Sequence, residues 1–136
     1  MADAEQASVA ALWRACDLVV SYNPPAHDIA FCRASPNSEL FVAVDGDGAV
    51  VASVMTGHDG HRGWLYYVAV DPALRGENLG RRMVAHAEDW LRSLGVRKIN
   101  LMIRETNREV RAFYERIGYS VEPRTAMARW IVDKPE

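Results

Sequence analysis

Arg75-Gly76-Glu77-Asn78-Leu79-Gly80, continuing into Arg81 and Arg82, is where residue type and spacing in this 136-residue chain point to chemistry. The stretch follows an apolar run ending Val68-Ala69-Val70, passes through Asp71-Pro72, and leads into a helical pattern. A helix N-terminus presents unpaired backbone N–H groups and the positive end of the helix dipole. A tight loop entering it aims several of those groups at one anion. Glycine lets the backbone approach a phosphate with no Cβ in the way. The three arginines add positive charge. The junction therefore reads as a pyrophosphate cradle, against the plainer alternative of a strand–helix turn shaped by geometry alone. Two other phosphate sites are excluded. There is no Gly-x-x-x-x-Gly-Lys-Ser/Thr, and no Gly-x-Gly-x-x-Gly in a repeated parallel frame.

Apolar periodicity predicts the elements that must hold this loop. Val9, Leu12, Trp13, Cys16 and Val20 recur at helical spacing, and a short helix follows the Pro24-Pro25 break, over residues 26–34. Residues 40–44 and 49–57 flank Asp-Gly-Asp-Gly, a hairpin signal, and residues 64–70 form a third strand. A long helix spans roughly 78–94, its stripe made of Leu79, Met83, Val84, Ala87, Trp90, Leu91 and Leu94, with Gly95 ending it. Residues 98–103 read as a strand. Thr106 and Glu109 form a capping box for a short helix carrying Val110, Phe113, Tyr114 and Ile117 on one face, closed by Gly118. Residues 119–122 and 126–132 read as two last strands. Strand–helix–strand over 64–103 implies a parallel pair within an otherwise antiparallel sheet. The fold class is α/β (α+β): a mixed, mostly antiparallel sheet with about four flanking helices, in one domain spanning 1–136.

Composition agrees, with 49% hydrophobic and 25% charged residues, as in an ordinary globular chain. The apolar runs are too short to cross a bilayer, and residues 1–13 carry no signal-peptide pattern. Cys16 and Cys32 lack metal-ligand spacing and read as buried free thiols, which predicts a cytoplasmic protein. The net charge of −2 argues against nonspecific nucleic-acid binding. Its distribution is uneven. Residues 1–74 hold nine Asp/Glu against three Arg, whereas residues 75–136 hold nine against thirteen Lys/Arg. The acidic half suits a cationic partner and the basic half an anionic one, unless both are solvated faces.

Residues 68–84, Val-Ala-Val-Asp-Pro-Ala-Leu-Arg-Gly-Glu-Asn-Leu-Gly-Arg-Arg-Met-Val, resemble motif A of the GCN5-related N-acetyltransferases (GNAT), which bind acetyl-CoA. That motif reads Arg/Gln-x-x-Gly-x-Gly/Ala. Arg75 and Gly80 match its ends, and Asn78 replaces its middle glycine. Residues 107–119 resemble motif B through Asn107, Tyr114 and Gly118-Tyr119. Residues 12–18 and 57–70 are similar to a branch of small, single-domain bacterial members. The usual first strand of the family is not evident. Either it is absent or the first residues form a short irregular one.

The resemblance implies a splayed central strand pair and a pantetheine arm that pairs with the backbone of Val68, Ala69 and Val70. It implies that the N–H groups of Arg75, Gly76, Glu77, Asn78, Leu79 and Gly80 hold the pyrophosphate, with Arg81 or Arg82 on the adenosine phosphates. Asn107 and Tyr114 complete the cofactor contacts, and Tyr114 is the expected proton donor to the departing thiolate. Asn78 is expected at positive φ, which Asn tolerates better than most residues. Acetyl transfer also needs a neutral amine. At pH 7 only about one free lysine amine in 2,500 is neutral, so a base or an acidic, desolvated site has to supply roughly 4–5 kcal/mol. Residues 64–68 and 99–103 carry no carboxylate, leaving Tyr66, Tyr67, Glu105, Asp59 and His61 as candidates. His58 and His61 without a third ligand do not make a metal site. The expected activity is acetyl transfer from acetyl-CoA to a primary amine of a small molecule or protein. The alternative is a catalytically silent acyl-CoA-binding or sensor module. No nucleic-acid, membrane or metal partner is expected, and a homodimer is left open.

Overall fold

The computed structural model describes residues 1–134. The backbone divides into two compact units, Met1–Leu101 and Met102–Glu136.

The first unit opens with a single 3-10 turn, Asp3–Glu5, and passes directly into α1 (Gln6–Ala15). Among the described residues no strand precedes Ser38, and the first residues form this turn rather than a short irregular strand. Val9, Leu12 and Trp13 are the buried residues of α1, at i, i+3 and i+4. Asp17 adopts φ 57° and lets Leu18 N–H return to the Trp13 carbonyl at 2.9 Å, ending the helix. Pro25 starts α2 (Pro25–Ala34), where a missing N–H costs nothing. The meander follows: β1 (Ser38–Val44), β2 (Val50–His58) and β3 (Gly63–Val70), each antiparallel to the last. β2 is buried over residues 50–54, because helices cover both of its faces. Leu40, Val50 and Ala69 join α1 and α2 in one core, while Phe41 meets His86 and Trp90 of α3 on the opposite face.

A second 3-10 turn, Pro72–Leu74, leads to α3 (Leu79–Ser93). Met83, Val84, Ala87 and Leu91 are its buried stripe; Trp90 is half-buried and Leu94 is 48% exposed, so the expected stripe frays at its C-terminal end. A Cβ on Gly63 would stand 2.8 Å from Leu91 Cδ1 and 3.1 Å from Val96 Cγ1, so a glycine there lets α3 lie close to the start of β3. β4 is only Ile99–Asn100, parallel to β3 through Gly63↔Ile99 and Trp64↔Asn100. The longer strand expected over 98–103 is thus corrected. Beyond Trp64, β3 follows β2, and β4 no longer pairs with it.

The second unit is built on α4 (Arg108–Arg116). Its cap is Asn107, whose Oδ1 accepts from Val110 N–H at 3.2 Å, one position on from the Thr106 capping box that the pattern predicted. The two strands expected over 119–122 and 126–132 do not form. A strand exists through its hydrogen-bonded ladder, and these residues join none; Met127 and Ile131 are more than 90% exposed, so their alternation gains no burial. Among the described residues no helix is long and apolar enough to cross a membrane.

Candidate acyl-CoA site

In the first unit three features converge: the free edge of β3, the loop after it, and the start of α3. The β2–β3 register runs Met55↔Tyr66, then Ser53↔Ala69, so Val54 opposes both Tyr67 and Val68. This is a β-bulge, and Tyr67 adopts φ 51° in it. A left-handed non-glycine residue costs on the order of 1–2 kcal/mol, and a buried network holds this one. The Tyr67 ring stacks on Trp13 with centroids 3.8 Å apart and planes 7° from parallel. Trp13 Nε1–H donates to Ser53 Oγ at 2.9 Å, and Ser53 Oγ–H donates to the Tyr67 carbonyl at 2.8 Å. The Tyr67 hydroxyl donates to Asp28 Oδ2 at 2.5 Å. Burial and the Asp28 carboxylate push the Tyr67 hydroxyl well above the ordinary tyrosine range. Tyr67 therefore remains a donor, which removes it as a base.

Past the bulge, Asp71 N–H donates to the Val51 carbonyl at 2.8 Å. Strand alternation then turns the peptide groups of Ala69 toward β2 and those of Val68 and Val70 toward the free edge. The Val70 carbonyl accepts from Cys16 Sγ at 3.3 Å, which also shows that Cys16, expected as a buried thiol, is half-buried at the end of α1. The outward groups of Val68 can pair with an extended amide chain.

Asp71 shapes the exit. Its side chain accepts from Ala73 N–H at 2.9 Å and its carbonyl from Leu74 N–H at 2.8 Å. Gly76 follows at φ 94° and Asn78 at φ 61°. The left-handed backbone expected at Asn78 is observed, and its side chain makes no capping hydrogen bond. The first main-chain bond of α3 is Arg82 N–H to the Asn78 carbonyl at 3.1 Å. The N–H groups of Leu79, Gly80 and Arg81 precede it and lack helical partners. Among the described residues, no atom beyond the two chain neighbours comes within 4 Å of a Cβ built on Gly76, so the space beside the loop is open. No ion pair among the described residues engages Arg75, Arg81 or Arg82. Open space, unsatisfied donors and uncommitted cations suit a diphosphate. A separate cavity of about 450 Å3 lies between β1 and α3, lined in part by Phe41, Arg82, Met83 and His86.

Asn107 and Tyr114 belong to the second unit. The Asn107 side chain is already engaged as a helix cap. The Tyr114 ring sits edge-on to Phe113 and Tyr119, with centroids 5.0 and 5.4 Å away. Burial pushes its hydroxyl up to about 12. No buried side-chain polar atom among the described residues lacks a hydrogen-bond partner, and no hydrogen bond from the Tyr114 hydroxyl is recorded, so that oxygen reaches solvent while the ring is buried.

Asp59, another base candidate, accepts from His61 and Arg62 N–H at 2.9 and 2.8 Å and from Trp64 Nε1 at 3.2 Å. Those bonds, led by the one from Arg62, hold its carboxyl at about 2, too weakly basic to take an amine's proton near neutrality. Asp28 and Ser53 carry no signal of their own in the sequence, and Trp13 reads there only as part of the apolar stripe of α1. The available signal was the tandem Tyr66-Tyr67 in a strand, since an unbulged strand would send the two rings to opposite faces.

A model of the acetyltransferase (GNAT) family matches residues 7–119. An acetyltransferase of Yersinia enterocolitica serotype O:8 is 38% identical over 124 residues, covering 90% of this chain and 87% of that one. Among solved structures, an aminoglycoside 6'-N-acetyltransferase from Acinetobacter haemolyticus superposes with a TM-score of 0.79 at 14% identity, covering 98% and 97% of the two chains. AAC(6')-Iy, bound to the bisubstrate analog CoA-S-monomethyl-acetylneamine, gives 0.80 at 15% identity over 97% and 95%. The two structures share the fold, and the sequence match through both units fixes the kinship: this chain belongs to the acetyltransferase (GNAT) family.

Proposed function

We propose that the chain transfers acetyl from acetyl-CoA to a primary amine, with residues 1–136 acting as one domain. Family membership makes it an acyltransferase that draws on acetyl-CoA. The observation that carries the site assignment is the pair of left-handed residues, Gly76 and Asn78, that opens the N-terminus of α3 beside the free edge of β3. In this reading the N–H groups of residues 75–80 and the Arg81 side chain hold the pyrophosphate, and the outward groups of Val68, with the Val70 N–H, orient the pantetheine amides. A strand N–H at the bulge polarises the thioester carbonyl.

Tyr114 is the proposed partner of the departing sulfur. With its hydroxyl near 12 it keeps its proton throughout the neutral range. A thiol near 8.5 is the stronger acid by roughly three units. A hydrogen bond to the developing thiolate, rather than completed proton transfer, is what this burial favours. The absence of a carboxylate from residues 64–70 favours the alternative, a silent acyl-CoA-binding module.

Calorimetry with acetyl-CoA tests the site. Saturable binding is expected, and Gly80→Trp should abolish it by filling the loop. No binding at millimolar ligand would sink both readings. Following CoA release across an amine panel then separates enzyme from silent module.

A further inference from the structure

The face of β3 that carries α1 and α2 holds groups that the cofactor site does not use. Met55 packs against the α1/α2 core and pairs across the sheet with Tyr66, which places the Tyr66 ring on that face. The bulge turns Tyr67 to the same face, where it meets Trp13 and Asp28. Trp64, two residues before Tyr66, stacks on it at 6.3 Å and 14°. Tyr66 is 44% exposed, so a flat aromatic surface stands open immediately before the residues proposed to meet pantetheine.

On the same face the Tyr67 hydroxyl meets the half-buried Asp28 carboxylate. Its Oδ2 is fixed by the Tyr67 hydroxyl, and no partner for Oδ1 is recorded among the described residues. A carboxylate with one oxygen anchored and one available is a fixed receptor for an ammonium group. The aromatic surface on the same face of the sheet suits both the cation and an apolar stem.

We propose that Asp28, Tyr67, Tyr66 and Trp64 form the acceptor subsite, and that it selects a primary ammonium carried on an unbranched aliphatic stem. This rests on the acetyltransferase reading but names the acceptor chemistry within it. The ammonium bonds to Asp28, and the stem lies on Tyr66 and Trp64. Free alkylamines and the lysine side chain both present this chemistry. Amines on a polar ring, or beside a carbonyl, do not.

The test uses the full chain saturated with CoA. n-Hexylamine, Nα-acetyl-lysine amide, glucosamine and glycylglycine are titrated in turn while the Trp64 indole N–H resonance is followed. The first two should shift it saturably and the last two should not. Hexylamine against acetyl-lysine amide shows whether a free amine or a lysine side chain is the better source. Asp28→Asn keeps an oxygen for the Tyr67 hydroxyl and so preserves the bulge, but removes the charge. It should weaken hexylamine binding at least tenfold and leave acetyl-CoA affinity unchanged. Tyr66→Ala should weaken it by a smaller factor. Where acetylation is measured, Asp28→Asn should raise KM more than it lowers kcat. Saturable hexylamine binding that depends on Asp28, without any acetylation, would uphold the subsite while sinking the enzyme reading. The proposal is overturned if hexylamine leaves Trp64 unmoved, if Asp28→Asn binds like wild type, or if glucosamine binds more tightly than hexylamine.

Discussion

Tyr67 and Asn78 both carry left-handed backbone, at φ 51° and 61°, and they are held in opposite ways. Tyr67 lies in a bulge whose ring, hydroxyl and carbonyl are each tied to another element, through Trp13, Asp28 and Ser53. Asn78 is exposed, and its side chain makes no cap. One strained residue is paid for by tertiary packing. The other persists because asparagine tolerates the conformation locally. The bulge is therefore a property of the assembled core, and the loop is a property of its own few residues.

Removing the support of the bulge should give the largest effect. Trp13→Ala deletes the stacked ring and leaves Ser53 without its donor. It should cost about 3–5 kcal/mol, measured by denaturant unfolding. If the cost stays below about 1 kcal/mol, the core does not hold Tyr67 and the comparison fails.

Tyr114 is a third case, a buried aromatic with ordinary helical backbone. Tyr114→Phe should keep the fold and acetyl-CoA affinity while turnover falls roughly 10²–10³-fold, the scale for one lost donor. Unchanged turnover would make Tyr114 a core residue only. The variant also has a pH signature. The Tyr114 hydroxyl is raised from about 10 to about 12. Its stabilisation is fully present below the unfolded value and is lost as pH rises from 10 through 12. Tyr67 is raised too and adds a fall in the same direction. Wild-type stability should therefore drop more steeply than that of Tyr114→Phe across that window, by about 2–3 kcal/mol. Parallel curves would show that the hydroxyl is not desolvated.

The smallest effect should come from Asn78→Gly. Glycine relieves the residual strain at φ 61° but adds unfolded-state entropy, so stability should change by less than about 1 kcal/mol. Acetyl-CoA binding by calorimetry should hold or tighten. A large loss would show that the amide side chain is itself a ligand contact, and the loop would then not be a purely backbone device.

Local patterns were legible in the sequence because their causes are local. Apolar spacing located α3 and the start of α1, although α1 stops at Ala15, short of the expected Val20, and the Asp-Gly-Asp-Gly turn placed the β1–β2 hairpin. The positive φ of Asn78 followed from residue type and position. Features that depend on partners distant in the chain were not legible. Residues 98–103, 119–122 and 126–132 have strand-like patterns, yet among them only Ile99–Asn100 finds a ladder. The Tyr67 bulge, the partner of its hydroxyl and the face shared by Tyr66 and Tyr67 needed contacts 14 to 54 residues apart, among them Ser53, Asp28, Trp13 and Val70 with Cys16. Periodicity records which side a residue prefers to bury. Which group it meets there, and whether a strand gains a neighbour, is decided when the elements pack, because ladder bonds and buried polar contacts exist only between them.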